Sequence, residues 1–188
     1  GTFESRRTKA VVLRNTAGLG RGRRTSGMSP TTDAPAVGER APAFTGLRCD
    51  GETFRPSEIG DVFADGGVLV FYGFTYSAIA ENWWKRYDRR GWDEFDVPVA
   101  GVSRDGPYAQ NRFIRDMDLP FSFFADVDGT AIEAYGISTG RKGMADVETA
   151  RRSIFVLDEG LRVIERWISE DWISPPPVEE IEAAVERL

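Results

Sequence analysis

One run of residues narrows the folds open to this chain more than any other. Val68-Leu-Val-Phe-Tyr72 is apolar without a break and is bounded by Gly66-Gly67 on one side and Gly73 on the other. A strand with one wet face alternates polar and apolar residues, so an unbroken run implies a strand covered on both faces, as in a sheet with helices packed on either side. From Ser77 to about Arg90 the spacing turns helical, with Ile79, Trp83 and Tyr87 recurring every four residues. That pattern assigns Trp83 to the buried face and leaves Trp84, about 100° further round, as an exposed aromatic available for contacts. Gly73–Trp84 therefore reads as a turn carrying a buried strand into a helix, where ligands of α/β proteins meet helix N-termini. The first helical turn carries no nucleophile and ends on Ala80.

The other segments extend the same architecture. Ala41–Leu47 and Glu52–Arg55 flank Asp50-Gly51, a hairpin signal. Val97–Val102 reads as a second buried strand, and Pro107 opens a helix carrying Phe113, Ile114 and Met117. A short strand at Phe121–Ala125, a short helix at Gly129–Tyr135 and a strand at Arg152–Leu157 follow. Asp158-Glu-Gly160 turns the chain into Arg162–Ile168, and Val178–Leu188 is an amphipathic helix with Val178, Ile181 and Val185 on one face. Trp92, Trp167 and Trp172 read as packing or capping residues. The expectation is an α/β protein with a mixed central sheet, helices on both faces and an N-terminal β-hairpin.

Composition removes whole classes of chemistry. The chain has one cysteine, Cys49, and no histidine. Intrachain disulfides, cysteine clusters, histidine-ligated zinc and Ser-His-Asp or Cys-His catalysis are excluded together. No cofactor is expected. No apolar run is long enough to span a membrane. Charge divides the chain in two: residues 1–27 hold seven basic groups against one acidic, and the remainder holds 17 basic against 29 acidic. The acidic body argues against nucleic acid as a partner. Lysine occurs only at Lys9, Lys85 and Lys142. An acidic, lysine-poor composition fits a salt-loving source or a GC-rich coding bias equally.

Residues 1–37 are rich in Gly, Ser, Thr and Arg, lack periodicity, and are expected to form a disordered basic tail ahead of a domain at 38–188. Ser5-Arg6-Arg7-Thr8 invites a twin-arginine export reading, but the apolar stretch Ala10–Leu13 is too short and is broken by Arg14. Export being unsupported, a cytoplasmic location is expected. Met28 reads as the true start, with residues 1–27 as upstream sequence or, alternatively, a nucleic-acid-binding arm.

Several separated motifs, in order, resemble the peroxiredoxin family of thioredoxin-like fold. Val37-Gly-Glu-Arg-Ala-Pro-Ala-Phe44 is similar to its opening "G-x-x-A-P-x-F", and Val68–Tyr72 to its first central strand. Val99-Ala-Gly-Val-Ser-Arg-Asp105, Leu119-Pro-Phe-Ser-Phe-Phe-Ala-Asp126, Ala134-Tyr-Gly-Ile137 and Arg152-Ser-Ile-Phe-Val-Leu-Asp158 resemble the later segments. The flavour is that of the bacterioferritin-comigratory and alkyl-hydroperoxide-reductase/thiol-specific-antioxidant branch. The resemblance implies an antioxidant oxidoreductase whose chemistry lives in a P-x-x-x-T-x-x-C turn. A thiolate there is stabilised by a helix N-terminus and an arginine, attacks peroxide and becomes a sulfenic acid.

Laid on this chain, the motif puts Gly73 at the proline, Ser77 at the threonine and Ala80 at the peroxidatic cysteine, while Glu81, Trp83 and Lys85 also depart from the branch's pattern. The resemblance thus implies a degenerate thiol-peroxidase site. Its remaining parts would be Ser77 and Arg152, with Gly73, Phe74 and Glu81 lining the substrate pocket. Cys49, beside the hairpin turn, is expected to lie away from that pocket. An arginine, a hydroxyl and helix N–H groups would suit a small anion or a peroxide. Three roles remain open: a peroxide-inert redoxin, a binding or assembly partner pairing with itself or with an active relative, and a different chemistry using Ser77, Arg152, Glu81 and Asp105.

Overall fold

The computed structural model describes residues 33–188. Most of the expected tail lies outside the described residues. The packed chain reaches further back than Val37, however, because Ala34 is buried and Arg166 Nη1 donates to the carbonyls of Ala34 and Pro35 at 2.9 and 2.8 Å.

The chain runs β1 (Thr45–Cys49), β2 (Phe54–Glu58), α1 (Ile59–Val62), β3 (Gly67–Phe71) and α2 (Ala78–Arg89), then a 3-10 turn at Trp92–Glu94. It continues through β4 (Val99–Ser103), α3 (Pro107–Met117), β5 (Ser122–Ala125) and α4 (Thr130–Ala134). The hairpin β6 (Ser138–Arg141) and β7 (Val147–Ala150), then β8 (Ser153–Leu157), β9 (Val163–Ile168) and α5 (Val178–Val185) complete it. Seven strands form one sheet in the order β2-β1-β5-β4-β3-β8-β9, and β6-β7 forms a separate ribbon. The β3-β4 and β4-β5 pairs are parallel, and the flanking pairs are antiparallel.

All five residues of β3, β4 and β8 are buried. Alternation along β3 explains why: Val68, Val70 and Tyr72 join a core cluster with α2, α3 and α5, whereas Leu69 and Phe71 join another with α1 and α4. The crossover helices of the parallel pairs, α2 and α3, cover one face together with α5, while α1 and α4 cover the other.

The register of α2 differs from the expected one. Ala80, Trp84 and Tyr87 face the sheet, and Trp83 is only half-buried. Trp84 packs against Tyr72, Phe121 and Phe123, with ring centroids 5.7, 5.4 and 4.6 Å away. Both i, i+4, i+7 and i, i+4, i+8 stripes are apolar here, and the sheet selects the one bearing small Ala80 beside the strand. Trp84 is therefore a core residue and offers no contact surface. Gly101 of β4 makes room for it, since a Cβ there would overlap the rings of Phe123 and Trp84. The end of α2 is clamped to α5: Arg90 Nε and Trp92 Nε1 donate to Glu182 Oε1 at 2.6 and 2.8 Å.

Because the obstruction at Gly101 is made of two buried rings, Gly101→Ala is expected to destabilise the fold by about 1–3 kcal/mol, measured by chemical denaturation. A neutral result would show that the α2–β4 interface is loosely packed.

Candidate functional site

The turn from β3 into α2 is pinned at several points. Thr75 N donates to Asp105 Oδ2 at 2.9 Å, and Ser103 Oγ donates to the same oxygen at 2.6 Å. Tyr76 adopts φ 60°, a left-handed conformation costing a bulky residue about 1–2 kcal/mol. Its hydroxyl donates to Asp116 Oδ2 at 2.9 Å and its ring meets Phe113 edge-on at 5.2 Å, which holds the strained backbone in place. Ser77 is the N-cap of α2: its Oγ accepts from Ala80 N at 3.3 Å and donates to Phe74 O at 2.8 Å. The hydroxyl proton therefore goes to a carbonyl oxygen, and no base receives it.

Ala80, the third residue of α2, points its methyl into a cavity of about 20 Å³. Ile79, Trp83, Trp84, Tyr87, Ile154, Trp167 and Arg152 contribute to its walls. The space suits about one water molecule, and the wall is mostly hydrocarbon and ring. Burial pushes the Tyr87 hydroxyl far above its ordinary range, so it is no acid or base at neutral pH.

Arg152 enters this cavity from the residue preceding β8 and is buried. Its guanidinium lies 5.9 Å from the Trp83 ring centroid and 5.5 Å from that of Trp167. Nη1 donates to Trp172 O at 3.3 Å and to Ser174 O at 2.9 Å. Desolvation lowers its pKa, with opposing contributions from Tyr87 and Asp171. It forms no ion pair among the described residues.

Of the expected pocket residues, the structure brings Ala80 and Arg152 to one cavity. Glu81 stands half-buried on α2 and does not line it. Gly73 and Phe74 lie instead under Arg141, a residue that sequence reasoning did not single out. The Arg141 guanidinium sits 3.7 Å from the Trp172 ring centroid and 5.1 Å from that of Phe74, while Nε donates to Thr149 Oγ1 at 2.9 Å. A Cβ on Gly73 would overlap Arg141 Nη2, so glycine is what lets the guanidinium lie there. The space a side chain at position 73 would fill is taken by an arginine reaching across from the β6-β7 ribbon.

Cys49 lies apart from this site, as expected. It is fully buried, with Sγ 3.7 Å from Pro107 O at the start of α3 and 3.6 Å from Leu47 O. Burial, and secondarily the Asp50 carboxylate, push its thiol up to about 12. Asp105, spent on Thr75 and Ser103, is a scaffold for the turn and does not line the cavity.

A mixed seven-stranded sheet with helices on both faces and a ligand-type turn at the C-terminal end of a central strand defines a thioredoxin-like α/β protein. A model described as the AhpC/TSA family matches residues 37–166, and the chain belongs to that family, the peroxiredoxins. Peroxidoxin BcpB from Mycobacterium tuberculosis superposes with a TM-score of 0.70 at 18% identity, covering 82% of this chain and 98% of that one. A 2-Cys peroxiredoxin from Plasmodium vivax gives 0.67 at 16% identity, covering 80% and 94%. PrxQ from Xylella fastidiosa gives 0.65 at 18%, covering 81% and 94%. No curated protein sequence matches. No helix among the described residues is long and apolar enough to cross a membrane.

The arrangement of Arg141 over Gly73 can be tested by a double-mutant cycle. Gly73→Ala should displace the guanidinium and cost about 1 kcal/mol, the worth of its aromatic stacking, but should cost nothing further in an Arg141→Ala background. Equal costs in both backgrounds, measured by denaturation, would contradict the arrangement.

Proposed function

We propose that this chain is a peroxide-inert member of the peroxiredoxins, acting by binding and without turning over peroxide through a thiol. The observation that carries this reading is the location of the chain's one sulfhydryl. Cys49 is sealed beneath α3 with its pKa driven up to about 12, and the first turn of α2 presents the Ala80 methyl. Peroxide reduction of the family type needs a thiolate with access to substrate. Ala80 occupies the place of the peroxidatic cysteine, with Ser77 and Arg152 as the remaining polar members.

The turn's hydroxyl and helix N–H, and one nitrogen of the Arg152 guanidinium, are engaged within the chain. Ser77 Oγ donates to Phe74 O, Ala80 N donates to Ser77 Oγ, and Arg152 Nη1 donates to two carbonyls. A serine-based chemistry has no support either, because Ser77 has no base on its hydroxyl.

Hydrogen peroxide with a thioredoxin or dithiol donor should therefore give no donor consumption above the uncatalysed rate. Ala80→Cys alone should not bring turnover to the family's level, because the restored sulfur would sit against hydrocarbon and rings. Consumption by the unaltered chain that persists in Cys49→Ala would overturn the reading.

An assembly role draws on a separate observation. Tyr76 and Tyr108 are exposed large aromatics beside and on α3, with relative exposures of 44% and 78%. Exposed tyrosines suit a protein contact. Sedimentation should show association of this chain, with itself or with an active relative, that Tyr108→Lys weakens; a strictly monomeric chain would remove the assembly role.

A further inference from the structure

Two guanidiniums, Arg141 and Arg152, converge on one short segment, residues 169–174. Both have their pKa lowered by burial, and neither forms an ion pair among the described residues. Arg152 takes the carbonyl oxygens of Trp172 and Ser174, and Arg141 takes the face of the Trp172 ring. A buried cation is costly unless paired, and carbonyl dipoles and ring faces compensate it less completely than an anion does. The segment thus meets the two guanidiniums directly with neutral carbonyl oxygens and a ring face, and its Asp171 carboxylate acts on Arg152 only from beyond ion-pair distance.

The way the segment is held suits it to leave as a unit. Its internal hydrogen bonds are its own: Asp171 accepts from Ile173 N, Ser174 N and Ser174 Oγ, and Ser169 Oγ donates to Asp171 O. Glu170, Asp171 and Ile173 are exposed, and Trp172 docks on Arg141. Its ends are anchored, by Ser169 N on Arg152 O at 2.9 Å and by buried Pro176 and Val178. Lifting the middle would break the two carbonyl bonds to Arg152 and the Trp172–Arg141 stack, and would leave the turn intact. An entering oxyanion would restore both guanidinium contacts with charge-assisted hydrogen bonds.

We propose that residues 169–174 form a displaceable strap whose carbonyls hold Arg152 in place of an anion, so that a small oxyanion binds between Arg141 and Arg152 only by lifting it. This rests on the binding reading of the preceding subsection, and adds to it the ligand class and the gate.

Inorganic sulfate, titrated against chloride at constant ionic strength, tests the idea by calorimetry. Trp172→Ala, which frees the strap from Arg141, should bind sulfate about tenfold more tightly than the unaltered chain, and Arg152→Lys in that background should abolish binding. In the unaltered chain, the Trp172 indole N–H resonance, assigned by its loss in Trp172→Phe, should shift and saturate with sulfate; this decides the matter if Trp172→Ala fails to fold. Equal affinity with and without Trp172, or an indole resonance that stays still while sulfate binds, overturns the strap while leaving an anion site. Absence of sulfate binding in every folded variant overturns the strap and the anion-binding role together.

Discussion

Strand β3 has no face open to water, and the candidate site inherits its shape from that constraint. Val68 and Val70 belong to the core under α2, α3 and α5, while Leu69 and Phe71 belong to the core under α1 and α4. A strand so enclosed can present chemistry only where it ends, at the turn of residues 73–77. Once α2 is laid on the sheet by Ala80, Trp84 and Tyr87, its first turn faces inward between rings. What stands at position 80 is thus fixed in place by packing, whatever its chemistry.

That geometry separates the scaffold from the reaction. The turn remains built to a high standard: Asp105 pins Thr75, Asp116 holds the strained Tyr76, and Ser77 caps the helix. Polar groups around the turn make contacts within the chain. Ser77 serves Phe74, Arg152 serves the 169–174 segment, and Arg141 covers Gly73. Gly73 and Ala80 serve the packing in different ways: the glycine admits the Arg141 guanidinium, and the alanine lets α2 lie close to the sheet.

Most of the order of elements is legible because the central strands are short apolar runs and the two longest helices, α2 and α3, begin at Ser77 and Pro107. The face of α2 is not, since Ile79-Trp83-Tyr87 and Ala80-Trp84-Tyr87 are both apolar stripes and the choice depends on how close the sheet lies. The β6-β7 ribbon escaped notice because Ser138–Arg141 and Val147–Ala150 are short, polar and without alternation. Arg141 lies in a Gly- and Thr-rich stretch with no pattern that sets it apart. The one trace of it in the sequence is Gly73 itself, whose missing side chain leaves room for the guanidinium. Arg152 was found through the motif, but its partners are backbone oxygens, which no sequence pattern displays.

Cys49, the chain's one thiol, is sealed in the core and out of reach of peroxide while the chain is folded. Exposure of the folded chain to hydrogen peroxide in the presence of dimedone, read by mass spectrometry at Cys49, tests it directly. No dimedone adduct is expected in the folded protein, and Cys49 should react once the chain is unfolded in denaturant. Rapid adduct formation at Cys49 under native conditions would contradict it.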